Sequence, residues 1–378
     1  MGAEPEIAVI DDFFPHKLSA FRYEEFHAYL EAMPRLSVHA TWPHLKYFGE
    51  ERPPAEVFAE YAREHPAHAG RVQPLFDGTF PPAEAYYTIF LSNIREHLWA
   101  IEARRRPFAF TMYPGGGFAM DVPELDKCME RVFASPCFRK VIATQPIIRD
   151  YVLDKGFCEP HRVVFIHGGV VPRSAFEPPP PKPRYGLAKA ALDIAFVAAK
   201  YSPIGADKGY DLFVEAAKVL VALGIDARFH VVGGFDPGTL DLGPAASRFR
   251  FYGYRPREFF ATFHSLMDMF VSPTRAFTLS KGAFDGFPTG AAIEAGLQCV
   301  ALLLTDPLGF NTMLRDGEDA IIVQPDRDNI VARILQLASH PDRLAAIGEN
   351  GRVALTASHG YAAQIAPRLA VLRSLPDE

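Results

Sequence analysis

Residues 193–234 read DIAFVAAKYSPIGADKGYDLFVEAAKVLVALGIDARFHVVGG. Asp193–Ala198 is an apolar run of strand length, and Ala227–Val232 is a second, closed by Gly233-Gly234. Between them, Gly209–Leu223 places Leu212, Phe213, Ala216, Ala217, Leu220 and Leu223 on one helical face. Strand, helix and strand joined by short links form a crossover unit, which requires parallel strands covered by helices.

The same grammar extends both ways. Downstream, the pattern predicts strands at Phe249–Tyr252, Met269–Val271, Val300–Leu304 and Ala320–Val323, with helices at Pro256–Leu266, Thr289–Ala295, Asn329–Ala338 and Pro341–Ala354. Upstream, it predicts strands at Ile7–Asp11, Leu36–Thr41, Tyr86–Leu91, Phe108–Met112, Lys140–Thr144 and Arg162–Ile166. Helices are expected at Ala20–Met33, Ile94–Arg104, Glu124–Phe133 and Ile147–Lys155, and a less patterned stretch runs to about residue 84. The run Glu177-Pro178-Pro179-Pro180-Pro181-Lys182-Pro183 fits neither a helix nor a central strand and reads as a stiff linker. The expected organisation is a first domain over 1–176, a linker over 177–186, a second domain over 187–360 and a closing helical segment over 361–378. The fold class is α/β, with two Rossmann-like domains facing across a cleft and ligands at the carboxyl ends of the strands.

Composition excludes several classes. The chain has 378 residues, 49% hydrophobic and 22% charged, ordinary values for a folded globular protein. A net charge of -6 argues against a nucleic-acid partner. Cys128, Cys137, Cys158 and Cys299 show neither zinc-ligand spacing nor a disulfide framework, which suits a reducing cytoplasm. The opening MGAEPEIAVIDDF has no secretory pattern, and Gly2 lacks the Ser or Thr at position 6 that myristoylation needs. No run approaches the roughly 18 apolar residues of a membrane span, so a soluble or peripheral protein is expected. The 13 His include no His-x-x-x-His pair with a helical Glu, and no Gly-x-Ser-x-Gly occurs.

The segment Phe284-Asp285-Gly286-Phe287-Pro288-Thr289-Gly290-Ala291-Ala292-Ile293-Glu294-Ala295-Gly296 leads from a strand through a loop into a helix of small residues. Small residues let an anion approach a helix N-terminus, where N–H groups and the dipole favour phosphate. Glu294, one turn in, could accept hydrogen bonds from ribose hydroxyls. The same residues also suit a tightly packed, capped helix with a solvated Glu. Lys200 and Lys208 flank a second strand-end loop and could neutralise a departing diphosphate, although such a piece taken alone is more often a solvated loop with surface Lys. In the first half, Tyr113, Gly115, Gly116 and Gly117 follow a strand, as do Phe13 and His16 with Arg22 just beyond, and these are the candidate acceptor-side residues. Asp326-Arg327-Asp328 has the Asp-x-Asp form of a cation site, but its place at the start of a helix favours capping. Trp99 and Arg104-Arg105-Arg106 could touch an anionic membrane, although such a helix more often packs inward and solvates its Arg cluster.

In their order, these segments resemble the nucleotide-binding domain of retaining glycosyltransferases of the GT-B fold, specifically family 4 (glycosyl transferases group 1). The matching pieces are Lys200 with Lys208-Gly209, the strand Phe229–Gly233, Phe251-Tyr252-Gly253-Tyr254, Asp285-Gly286-Phe287 with Glu294-Ala295, and Asp316-Gly317-Glu318 with Ile321-Ile322-Val323. Thr144-Gln145 to Lys155-Gly156 and Gly168-Gly169-Val170 resemble the end of the acceptor domain. The likeness is good over about 140–360 and architectural before that. Asp285 and Glu294 are nine positions apart where the family has eight, and Lys200 stands where Arg is common.

The resemblance implies a retaining, metal-independent transfer of a sugar from a nucleotide-sugar, UDP- or GDP-linked, to a glycan, lipid-linked or other hydroxyl acceptor, in surface polysaccharide or glycoconjugate assembly. No cofactor is implied. Lys200, Lys208 and the helix start at Thr289-Gly290 would stabilise the diphosphate, Glu294 would hold the ribose, and Asp285 would meet the donor sugar. Gly253, Tyr254, Gly286, Phe287 and Pro288 would complete the donor site, and Tyr361–Leu375 would cross back to the first domain. A cytoplasmic location, with peripheral contact at the inner membrane face, follows. The alternatives are a nucleotide-sugar epimerase or hydrolase on the same fold, and a non-catalytic nucleotide- or carbohydrate-binding protein.

Overall fold

The computed structural model describes residues 6–41, 52–75 and 79–377, so Gly2 lies outside the described residues. The chain forms two compact units. The first comprises Met1–Val170 and Tyr361–Glu378, the second Val171–Gly360.

In the first unit β1 (Ile7–Asp11), β2 (Leu36–Ala40), β3 (Val72–Pro74), β4 (Ala85–Ile89), β5 (Phe108–Met112), β6 (Phe138–Ala143) and β7 (Val163–Phe165) form one parallel sheet in the order β3-β2-β1-β4-β5-β6-β7. Ile7 pairs with Leu36 on one side and Ala85 on the other. Every residue of β1, β2, β4 and β5 is buried, as central parallel strands covered on both faces must be. The helices are α1 (Ala20–Ala32), α2 (Pro54–Glu64), α3 (Leu91–Arg104), α4 (Pro123–Phe133), α5 (Pro146–Asp154) and, from the chain's end, α11 (Tyr361–Ser374). Ile365, Leu369 and Leu372 of α11 join the core formed by Phe26, Tyr29 and Leu30 of α1. Two elements, α2 and β3, occupy the stretch the sequence pattern left open.

The second unit repeats the plan with β8 (Leu192–Val197), β9 (Ala227–Val232), β10 (Phe249–Phe251), β11 (Met269–Ser272), β12 (Ala301–Thr305) and β13 (Ile321–Val323), all parallel, in the order β10-β9-β8-β11-β12-β13. Its helices are α6 (Tyr210–Ala222), α7 (Glu258–Leu266), α8 (Gly290–Leu297), α9 (Arg327–Ala338) and α10 (Pro341–His359). Phe213, Ala217 and Leu220 of α6 bury against Phe196, Phe229 and Val231 of the sheet.

The Pro-rich run needs a correction. The boundary between units falls at Val170/Val171, ahead of it, and residues 177–186 belong wholly to the second unit. The Lys182 ammonium anchors the run by donating to the Met267 carbonyl at 2.7 Å and the Cys299 carbonyl at 3.1 Å. A proline segment has no N–H to offer, so a side chain provides the attachment.

In both sheets the strand order reverses beside the first strand, between β1 and β4 and between β8 and β11. Each reversal is a topological switch point, where the fold places ligand sites at the carboxyl ends of the strands.

Candidate functional site

The loop after β8 carries Lys200 and Lys208, and the loop after β11 carries Asp285 and leads into α8. Gly209 makes their meeting possible. Its φ is +70°, and a Cβ there would stand 1.9 Å from the Pro273 carbonyl oxygen, so only glycine lets the backbones approach. Across this contact the Lys208 ammonium meets both Asp285 carboxylate oxygens, at 2.6 and 2.8 Å, and lies 5.0 Å from the Tyr201 ring centroid. Burial opposes the Lys208 charge more than any other single influence. The Asp285 charge and hydrogen bonds nonetheless leave its pKa above the ordinary value.

The resemblance gave Lys208 and Asp285 to different parts of a ligand; the structure joins them in one ion pair. Arg275 reinforces the juncture, and the sequence reading passed over it. One of its terminal nitrogens meets both Asp211 carboxylate oxygens at 2.7 Å, and its Nε donates to the Ala206 carbonyl at 2.9 Å. Its only signal in sequence is its place three residues after a strand.

The other candidates surround this pair. Lys200 donates to the Thr239 hydroxyl at 3.3 Å. A methyl placed on Gly234 would lie 2.9 Å from the Tyr254 hydroxyl and 3.3 Å from Lys200 Cβ, so the loops after β8, β9 and β10 adjoin here. Gly253 has a φ of +66° in the turn that presents the exposed Tyr254. Thr289 is the N-cap of α8, its hydroxyl accepting from the Ala292 N–H at 3.4 Å, with Gly290 exposed at the first turn. Gly286 is half-buried, and so is Glu294 in the second turn, between the buried Ile293 and Ala295. Phe287 and Pro288 are both buried, so their side chains support the loop from beneath.

In the first unit, Asp11 accepts from the Phe13 and Phe14 N–H groups at 2.8 and 2.7 Å, folding the loop after β1 back on itself. Arg22 pairs with Asp12, lies 3.4 Å from Asp11, and sets its guanidinium 4.7 Å from the Phe90 ring centroid. Asn93 Nδ2 reaches Asp12 at 3.4 Å. Gly115, Gly116 and Gly117 all have positive φ, and at Gly116 a Cβ would strike the Phe90 ring at 2.0 Å. The loops after β1, β4 and β5 therefore meet, as the switch point requires. Of the candidates on these loops, Phe13, His16 and Tyr113 are all buried, and the Tyr113 hydroxyl donates to Glu25 at 2.8 Å.

Asp326 caps α9, accepting from the Asn329 N–H at 2.9 Å, while Asp328 pairs with Arg327 at 2.7 Å. Among the described residues, no group of three or more His, Cys, Asp or Glu is arranged to hold a metal ion. Among the same residues, no helix is long and apolar enough to cross a membrane.

Residues 192–340 match the family model described as Glycosyl transferases group 1. No curated protein matches the chain in sequence. Among solved structures, Anabaena HepE in complex with UDP superposes with a TM-score of 0.68 at 13% identity, over 98% of this chain and 100% of that one. A glycosyltransferase from Rickettsia africae gives 0.66 at 14% identity, over 98% of each chain. The sucrose-phosphate synthase of Thermosynechococcus elongatus gives 0.63 at 16%, over 97% and 98%. The protein thus has two parallel-sheet, Rossmann-like domains in the fold of GT-B glycosyltransferases, and residues 192–340 of its second unit are similar to the Glycosyl transferases group 1 family.

Proposed function

We propose that the protein is a retaining, metal-independent glycosyltransferase that takes a sugar from a nucleotide-sugar and passes it to a hydroxyl of a glycan or lipid-linked acceptor, in polysaccharide or glycoconjugate assembly. One observation carries the reading: at the switch point of the second unit, Lys200, the Lys208–Asp285 pair and the capped start of α8 lie on loops that adjoin β8 and β11, where the fold accepts a nucleotide.

In this reading the bond between the anomeric carbon and the diphosphate breaks while the acceptor oxygen bonds to that carbon on the same face. The diphosphate leaves with the electron pair and takes the acceptor proton. Lys200 and the α8 N-terminus meet the charge that develops on it. Lys208 enters partly neutralised by Asp285, so the diphosphate competes with Asp285 for the ammonium and frees the carboxylate to receive sugar hydroxyls. Glu294 holds the ribose. The first unit offers Arg22, Asp12 and the Gly115–Gly117 loop to the acceptor. Trp99, 70% exposed on α3, and the exposed Arg105 and Arg106 that follow the helix would rest on an anionic membrane carrying a lipid-linked acceptor.

The test is product analysis with UDP-, GDP-, ADP- and TDP-sugars, with and without an acceptor panel. Transfer that retains the donor's anomeric configuration and survives EDTA is expected. Products from donor alone would favour an epimerase or hydrolase. Loss in EDTA with rescue by Mn²⁺ would refute the metal-free reading.

A further inference from the structure

Four ionisable side chains and a glutamine in the first unit form a buried polar cluster around Glu25 that the donor chemistry leaves unused. Glu25 on α1 is fully buried and accepts from three phenols, Tyr29, Tyr87 and Tyr113, each at 2.8 Å. Its counter-charge comes from the end of the chain: Arg368 on α11, 0% exposed, lies with Nε 3.7 Å from a Glu25 oxygen, and that Nε has no hydrogen-bond partner. Burying two charges returns little stability by itself, and apolar side chains of similar volume hold a helix as well. The distinctive feature is where the remaining donors point. One Arg368 terminal nitrogen donates to the Gln364 carbonyl and side-chain oxygens, at 2.9 and 2.8 Å. The other donates to the Tyr113 hydroxyl at 3.3 Å and the Gly168 carbonyl at 3.2 Å. Gln364 itself donates to the His167 carbonyl at 2.7 Å.

Tyr113 directly follows β5 and opens the glycine loop, and His167-Gly168-Gly169 follows β7. The two loops also touch directly, since a methyl on Gly169 would lie 3.4 Å from the Tyr113 ring. Arg368 thus hydrogen-bonds both the phenol at the root of the first loop and the backbone of the second.

We infer that Arg368 is a positioning residue: acting through Tyr113 and the Gly168 carbonyl, it fixes the loops after β5 and β7 relative to each other. What those loops do for the reaction rests on the acceptor-side reading above; that they are set by α11 does not.

Hydrogen exchange on the full chain tests this. Arg368→Lys keeps the charge but loses the planar fork, and Tyr113→Phe removes only the linking hydroxyl, which secures the test if Arg368→Lys fails to fold. Leu369→Val, on the same helix, serves as a reference for plain loss of packing. In the first two variants, amides of 115–118 and 167–170 should exchange at least tenfold faster, with those of β1 and β4 within twofold of wild type. Leu369→Val should leave both loops unchanged. Faster exchange confined to α11, or the same loop response in Leu369→Val, would overturn the inference.

With UDP-glucose as donor and glucose as probe acceptor, Tyr113→Phe should raise KM for glucose at least fivefold and that for UDP-glucose less than twofold. Loosened loops with an unchanged glucose KM, or with no transfer at all, would leave Arg368's role standing and count against the acceptor reading instead.

Discussion

Lys208 shows how one residue joins the two halves of the donor-site argument. Its ammonium is mostly buried, yet Asp285 keeps it charged, so it stands ready for an anion without depending on solvent. Lys208→Ala is expected to lower kcat by about 100-fold or more, as the loss of a preorganised charge at a leaving group does. A steady-state assay checks it, and a kcat within threefold of wild type would remove Lys208 from the chemistry. Sequence position marked Lys200, Lys208, Asp285 and Glu294 as candidates, because each lies in a loop after a parallel strand or in the first turns of the helix beyond it. Pairing was not readable. Lys208 and Asp285 are 77 residues apart, and nothing in either segment encodes their contact. The burial of Tyr113 was hidden for the same reason: its hydroxyl partners, Glu25 and Arg368, lie 88 and 255 residues away.

At the scale of elements, legibility followed burial. Strands such as β1, β4, β5 and β12 are covered on both faces, so they read as continuous apolar runs. Helix α2 buries only Val57 and Tyr61, and β3 is a three-residue edge strand ending in Pro74, so neither writes a strong pattern. Helix α7 carries a different consequence of burial. His264 is 1% exposed among Phe260, Phe263 and Phe270, neither ring nitrogen has a hydrogen-bond partner, and burial pushes its pKa down to about 3. The ring stays neutral in the fold while the unfolded chain protonates near 6.5. Stability is therefore unaffected above pH 6.5 and falls as pH drops through the window from there to about 3. From pH 7 to 5 this one group should cost about 2 kcal/mol. Urea unfolding of His264→Leu should show that acid-side loss reduced by this amount. A parallel decline in wild type and variant would mean that His264 is protonated without cost.

For the whole molecule, the two units share one topology, a parallel sheet whose strand order reverses beside its first strand, and each brings strand-end loops together at that reversal. The second unit carries the family match and the basic residues, and these make the donor site the central claim. The most direct test is thermal unfolding of the full chain against UDP, GDP, ADP and TDP and their sugars. A ligand that binds only the folded state raises Tm with the logarithm of its concentration over Kd. The expected result is a rise with one nucleotide class, with affinity at least tenfold weaker in Glu294→Ala. No rise with any nucleotide, or an equal rise in Glu294→Ala, would contradict the donor site as described.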